Sequence, residues 1–149
     1  MQKRLVIDFD STLCSGCMAC VVACLDQNDQ HADGVAFRTV SRQEQGPYPA
    51  TVVFHSTACM NCRKPSCLPV CPSGALFRHA DDGVVDVDRS LCIGCLSCAE
   101  ACPFDAPKLA GDGKMAKCEL CRVRVGHGLE PACVHTCTTG ALTFRLRED

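Results

Sequence analysis

Cys92-Ile93-Gly94-Cys95-Leu96-Ser97-Cys98-Ala99-Glu100-Ala101-Cys102-Pro103 is the stretch that decides how this chain is read. Three cysteines stand two residues apart, and a fourth follows after three more with proline behind it. On a loop loosened by Gly94, the first three thiolates can each reach a different iron of one four-iron cube. The fourth sits one helical turn beyond the third and points elsewhere. Seventy-eight positions earlier, Cys14-Ser15-Gly16-Cys17-Met18-Ala19-Cys20-Val21-Val22-Ala23-Cys24 repeats the spacing, with Leu25 in the proline position. Two further groups vary it: Cys59, Cys62, Cys67 and Cys71, followed by Pro72, and Cys118, Cys121, Cys133 and Cys137. These groups use all 16 cysteines of the 149 residues, and each ends with the same three-residue gap.

Three chemistries use cysteine at this density: disulfides, structural zinc and iron–sulfur clusters. Bridges among Cys14, Cys17, Cys20 and Cys24 would close tiny loops that constrain little of the unfolded chain, and a reducing cytoplasm opposes them. Structural zinc uses two C-x2-C pairs set well apart. Cys118/Cys121 with Cys133/Cys137 could be read that way, but the first and third groups place a third cysteine two residues after the second. The run from Cys92 to Pro103 matches the bacterial ferredoxin spacing at every position. There the fourth cysteine of one motif completes the cluster of another, so four motifs predict two reciprocal pairs and four 4Fe–4S clusters. Spacing leaves two pairings open: first with second and third with fourth, or outer with outer and inner with inner.

Six Phe, one Tyr and no Trp leave little bulky material for an ordinary core. Clusters are therefore expected to fill much of the centre, and the apo-protein to be largely unfolded. A net charge of −2 excludes a nucleic-acid binder built on a basic surface. No apolar run approaches the ~18 residues of a membrane span. Leu5 to Phe9 is too short for a signal-peptide core and a twin-arginine pair is missing, so a cytoplasmic location is expected.

The chain also repeats outside its cysteines. Val6-Ile7-Asp8-Phe9-Asp10-Ser11-Thr12-Leu13-Cys14 aligns with Val84-Val85-Asp86-Val87-Asp88-Arg89-Ser90-Leu91-Cys92, and Cys71-Pro72-Ser73-Gly74-Ala75-Leu76 with Cys137-Thr138-Thr139-Gly140-Ala141-Leu142. Duplication is the plain reading. Leu5–Phe9, Val84–Val87, Ala75–His79 and Ala141–Arg147 read as short strands, and Met18–Asp26 and Leu96–Ala101 as short helices. Asp81-Asp82-Gly83 reads as a hairpin turn, and Val35–Ser41 with Thr51–His55 as a second hairpin around Gly46-Pro47. The fold class is α+β with short elements.

On these motifs the chain resembles the iron–sulfur electron-transfer subunits that accompany molybdenum or tungsten pterin oxidoreductases, such as dimethyl-sulfoxide reductase, polysulfide reductase and formate dehydrogenase. It is also similar to the small ferredoxin subunits of soluble tungsten aldehyde oxidoreductases and of formate- or hydrogen-linked complexes. The resemblance runs from Leu5 to Leu146. It implies two interleaved two-cluster ferredoxin-like modules packed around four cubane clusters, an outer one over 1–50 plus 104–149 and an inner one over 51–103. It also implies that outer motifs pair with each other and inner motifs likewise. Cys14, Cys17 and Cys20 would then share a cluster with Cys137, and Cys118, Cys121 and Cys133 one with Cys24. Cys59, Cys62 and Cys67 would be completed by Cys102, and Cys92, Cys95 and Cys98 by Cys71. Leu25 and Thr138 depart from the family's proline, and an all-cysteine ligand set gives no sign of a three-iron cluster.

The implied role is a non-catalytic relay of single electrons between a catalytic Mo/W-pterin subunit and a further redox subunit or carrier, whether flavoprotein, ferredoxin or quinone-linked. A free-standing polyferredoxin and a hydrogenase-type subunit are the alternatives, and self-stacking of copies is compatible with accessible clusters at both ends. No nucleophile–base pair, carboxylate dyad or phosphate-cradling loop is visible, and Gly111-Asp112-Gly113-Lys114 reads as a turn. Arg63, Lys64, Lys114, Lys117, Arg122 and Arg124 read as a solvated charged face or, more sharply, as charges that raise cluster potentials or dock a partner. His31, His55, His79 and His127 read as surface residues, and His135 stays outside the ligand set because cysteine already supplies every position.

Overall fold

The computed structural model describes residues 3–29 and 35–148. The chain's two ends meet: β1 (Lys3–Phe9) pairs antiparallel with β8 (Leu142–Glu148), with Phe9 opposite Leu142. The same ribbon occurs inside the chain as a hairpin of β4 (Leu76–Arg78) and β5 (Val85–Val87), with Val87 opposite Leu76. Register is identical in the two copies, since Ile7 faces Phe144 as Val85 faces Arg78. Each ribbon is closed by one further bond, Asp10 N–H to the Ala141 carbonyl and Asp88 N–H to the Ala75 carbonyl, both 2.8 Å. Each then turns into its cysteine loop through an aspartate side chain: Asp10 Oδ1 accepts from the Thr12 N–H, and Asp88 Oδ1 from the Ser90 N–H, both 2.9 Å.

The expected hairpin over Val35–Ser41 and Thr51–His55 forms further along, as β2 (Thr39–Gln45) and β3 (Thr51–Thr57). This ribbon straddles residue 50. A module boundary drawn there cuts through the turn of one hairpin, whose strands satisfy each other's backbone groups. Helix α1 (Ala19–Gln27) carries Cys20 and Cys24, and α2 (Ser97–Glu100) carries Cys98. The long gap of the fourth group holds α3 (Arg122–Gly126) and α4 (Ala132–His135), each about one turn and too short to show a helical period in sequence. A small ribbon, β6 (Lys108–Leu109) with β7 (Met115–Ala116), is turned by 111–114 as expected. Among the described residues no helix is long and apolar enough to cross a membrane.

Two small hydrophobic clusters stand where one large core would be. Cys20, Cys133, Val134 and Leu142 form one, joined by Ile7, Phe9 and Phe144; Leu76, Val85, Cys98 and Met115 form the other, joined by Leu68 and Val87. Cysteine belongs to both, so these interiors are built around sulfur.

Arg122, read from sequence as a solvated charge, instead clasps the two halves. Its Nε donates to Asp82 Oδ2 at 2.7 Å and its Nη2 to Asp81 Oδ2 at 3.0 Å, at the tip of the β4–β5 hairpin. The Asp82 carbonyl accepts from the Leu5 N–H at 3.1 Å, bringing β1 to the same point. Arg122→Ala should cost about 1–3 kcal/mol, chiefly because the largely buried Asp82 carboxylate loses its charge-assisted bond, the exposed Asp81 adding little. The midpoint of thermal loss of visible absorbance should fall by several degrees. An unchanged midpoint would show that the clasp contributes nothing. His79 is likewise no surface residue: its half-buried ring lies 3.0 Å from Asp86 Oδ2. His127 is exposed, His55 half-buried, and His31 lies outside the described residues.

Candidate metal centres: four cavities walled by cysteine

Each cysteine group begins with the same backbone turn. The residue before the second cysteine has positive φ in all four: Gly16 at 70°, Asn61 at 44°, Gly94 at 70° and Leu120 at 58°. This curls the loop around its sulfurs. Glycine adopts the conformation freely and asparagine tolerates it, whereas leucine is strained there and is held by burial. Aligning the four groups on their first two cysteines would have flagged Asn61 as a glycine substitute.

The sixteen sulfurs are gathered into four cavities. Cys14, Cys17, Cys20 and Cys137 line one of about 340 Å³. Cys24, Cys118, Cys121 and Cys133 line a second of about 340 Å³. Cys59, Cys62, Cys67 and Cys102 line a third of about 380 Å³, and Cys71, Cys92, Cys95 and Cys98 a fourth of about 310 Å³. In each, three cysteines come from one group and the fourth from the last position of another. Short helices carry the exchange: α1 packs against α4, and α1 holds Cys20 on the first cavity and Cys24 on the second. Cys17 and Cys95 are exposed, whereas Cys20, Cys24, Cys98 and Cys133 are buried.

Backbone N–H groups surround the sulfurs, and they repeat as the sequence does. Burial works against the Cys71 thiolate, but N–H donors of Leu76, Ala75 and Ser73 and the Ser73 hydroxyl hold its pKa below the ordinary value. At Cys137 burial is likewise outweighed by Leu142, Ala141 and Thr139, at the aligned positions. The Met115 N–H donates to Cys92 Sγ at 3.3 Å. At the other extreme, burial pushes the Cys118 thiol up to about 12, and it also raises Cys24, Cys121, Cys20 and Cys98. Buried thiols of this kind stay protonated at neutral pH, so loading a metal there must release protons.

Several observations identify the group these walls fit. None of the sixteen cysteines is in a disulfide. Among the described residues, no three Cys, His, Asp or Glu side chains converge tightly enough for a single metal ion. A tetrahedral zinc would need four sulfurs within about 2.3 Å of one point, whereas a four-iron cube takes one thiolate from each of four cysteines around it, the number that lines each cavity. Among the described residues, the buried donors Arg38 Nε and Asn61 Nδ2 have no acceptor. Both residues line cysteine cavities, where sulfide and thiolate sulfur would supply one. The exposed His135 ring faces Glu130 at 4.0 Å.

Sequence reasoning missed several wall residues. Arg38 is buried, its Nη1 donating at 3.0 Å to Ser56 Oγ, which lies 3.7 Å from Cys20 Sγ. The buried Asn61 accepts from the Val85 N–H at 3.0 Å. Neither Arg38 nor Ser56 belongs to any motif or period. Of the six cations singled out, Lys117 alone is fully buried. Arg124 bonds the Glu130 carbonyl and Gln27, and Lys114 the Arg89 carbonyl.

Loops, quartets and donors together define a ferredoxin-type iron–sulfur protein. The chain belongs to the 4Fe–4S dicluster family, whose domain models match residues 50–147 and 13–75. It is 42% identical to Protein NrfC of Escherichia coli over 144 residues, which are 94% of this chain and 64% of that protein. It is 40% identical to one of the polypeptides of the anaerobic dimethyl sulfoxide reductase of Haemophilus influenzae, covering 91% of this chain and 71% of that one. It is 38% identical to one of the subunits of the sulfite dehydrogenase of Allochromatium vinosum, covering 96% and 68%. The chain thus spans about two thirds of the length of these relatives.

Proposed function

We propose that the chain is a non-catalytic electron-transfer subunit that holds four 4Fe–4S clusters in a row. The observation carrying this reading is the sorting of all sixteen cysteines into four cavity-lining quartets. Each quartet is the ligand set: Cys14, Cys17, Cys20 and Cys137; Cys24, Cys118, Cys121 and Cys133; Cys59, Cys62, Cys67 and Cys102; and Cys71, Cys92, Cys95 and Cys98. A bound 4Fe–4S cluster accepts and releases one electron. The chain's own residues fix where this happens. Helices α1 and α4 join the first two cavities. Lys117 and Cys118, adjacent in sequence, line the third and second, and Cys67/Cys71 with Cys98/Cys102 join the third to the fourth. The order of sites is therefore Cys14, Cys24, Cys59 and Cys92. The exposed Cys17 and Cys95 stand at the two ends, where partners can approach.

Packing supports an interleaved architecture with boundaries that differ from those drawn by position. The outer module takes 3–57 and 118–148, since Ser56 and Val40 line the first cavity. The inner module takes 58–117, since Phe104, Ala106, Pro107 and Lys117 line the third. Relatives named as parts of dimethyl sulfoxide reductase and sulfite dehydrogenase support a catalytic oxidoreductase partner of Mo/W-pterin type at one end. A second redox subunit or carrier would meet the other. A reducing cytoplasm suits sixteen free thiols awaiting iron.

Anaerobically purified protein should hold about 16 irons per chain and co-purify with a larger catalytic subunit. Cys24→Ala should lower iron to about 12 while leaving the cluster built on Cys14, Cys17 and Cys20. Loss of that cluster instead would overturn the exchanged pairing, and a colourless protein carrying only zinc would overturn the whole reading.

A further inference from the structure

Among the described residues, two cations are buried. Arg38 and Lys117 are each only 4% exposed. Among the described residues, neither forms an ion pair. Arg38 makes one side-chain bond, to Ser56 Oγ, and its Nε lacks an acceptor. Lys117 Nζ donates to the Cys118 carbonyl at 2.9 Å and to Asn61 Oδ1 at 3.4 Å. All three acceptors are uncharged. The one carboxylate in the wall that Arg38 lines, Glu119, accepts the Arg122 N–H at 3.1 Å; burial raises its pKa, and the Lys117 charge acts on it without forming an ion pair. Burying an ammonium or guanidinium without a paired counter-charge is unfavourable, and negative charge beside them from another source would offset it.

Position identifies the source. Arg38 lines the cavity of Cys24, Cys118, Cys121 and Cys133, and through Ser56 it reaches Cys20 of the neighbouring quartet. Lys117 lines the cavity of Cys59, Cys62, Cys67 and Cys102, and its Nζ bonds the carbonyl of Cys118 in the adjacent quartet. The two cations thus occupy the two junctions on either side of the Cys24/Cys118 site. The lining residues of the Cys71/Cys92/Cys95/Cys98 cavity include no cation.

We infer that Arg38 and Lys117 are fixed positive charges that raise the reduction potentials of the two interior clusters relative to the terminal cluster at Cys92. The inference rests on the cluster assignment proposed above. A cluster bound by four thiolates gains one negative charge on reduction, and a buried cation beside it stabilises the reduced form more than the oxidised one. No bond is made or broken, and the electron comes from the titrant or the redox partner. The resulting order places the interior pair downhill of the Cys92 cluster for an arriving electron.

Redox titration monitored by electron paramagnetic resonance tests this on the complete protein. Lys117→Met should shift the equilibrium of the Cys59/Cys62/Cys67/Cys102 cluster at least tenfold toward oxidation, a midpoint fall of about 59 mV for one electron. Arg38→Met should do the same for the Cys24/Cys118/Cys121/Cys133 cluster. The cluster at Cys92 should stay in place in both variants, and Lys117→Arg and Arg38→Lys should restore the wild-type midpoints. Lys117→Gln, which keeps a donor for Asn61, replaces Lys117→Met if that protein loads iron poorly. Wild-type iron near 16 per chain establishes the underlying assignment separately. Unmoved midpoints in fully loaded neutral variants overturn the inference, and so does an equal fall in all four clusters or a failure of the conservative variants to restore them.

Discussion

Anaerobic removal of iron should abolish the cooperative fold rather than leave an empty scaffold. The protein's own apolar contacts are two small clusters, and cysteines belong to both. Without iron, four sulfur-lined spaces would remain among the short elements of a chain with seven aromatic residues. Cavities of this kind cost stability in proportion to their size, and the surrounding walls would collapse or admit water. Buried polar groups add to the cost: Arg38 and Lys117 would lose their counter-charge, and Arg38 Nε and Asn61 Nδ2 their acceptors. Iron binding free energy is therefore folding free energy here. Chelated protein should lose most of its far-ultraviolet circular dichroism and its cooperative thermal transition, and both should return when iron and sulfide are restored. An apo-protein that melts cooperatively within a few degrees of the loaded form would show that side-chain packing alone holds the fold.

Gly94→Ala should be the most damaging single-atom addition to the chain. Gly94 has φ of +70°, which costs an ordinary L-residue about 1–2 kcal/mol. The greater obstacle is contact: a Cβ there would stand 2.1 Å from the Gly113 carbonyl oxygen and 3.3 Å from its carbon. That neighbour is backbone, so it can yield only if the β6–β7 turn moves. The turn is tied to the same site, because Met115 donates to Cys92 Sγ and Lys114 Nζ to the Arg89 carbonyl at 2.6 Å. Displacing it pulls on the loop that presents Cys92 and Cys95. Iron should fall from about 16 to about 12 per chain, with the Cys92 cluster lost first. Gly16→Ala meets only the Phe54 ring, a side chain that can rotate away, and should be milder. Gly111→Ala meets nothing within 4 Å and serves as the neutral control. Wild-type iron content in Gly94→Ala would show that the turn gives way freely.

Much of this molecule was legible because its chemistry is local. Three cysteines two residues apart need only one loop, and glycine before the second cysteine marks the left-handed turn that curls it. The strands around Ile7, Leu76, Val85 and Leu142 were readable from β-branched and apolar runs, and the 81–83 turn from its Asp-Asp-Gly sequence. Elements of one helical turn, α3 and α4, were not, because four or five residues carry no period. The β2–β3 ribbon was found but placed a few residues early, since neither strand has an alternating apolar face.

By itself, then, the sequence determined the count of sulfurs, their division into four groups, and the duplicated unit that carries them. Two matters were decided only by tertiary structure. One is which fourth cysteine lines a cavity with which trio, a matter of β1 meeting β8 across nearly the whole chain and of α1 lying on α4. The other is which charges lie beside the sulfurs, since Arg38 and Lys117 are buried while Arg122 is clasped by aspartates and Arg63 and Lys64 are exposed. The physical reason is the same for both. Spacing along the backbone limits what one loop can reach, but contacts between distant segments, and the burial of a single side chain, leave no periodic trace in the order of residues.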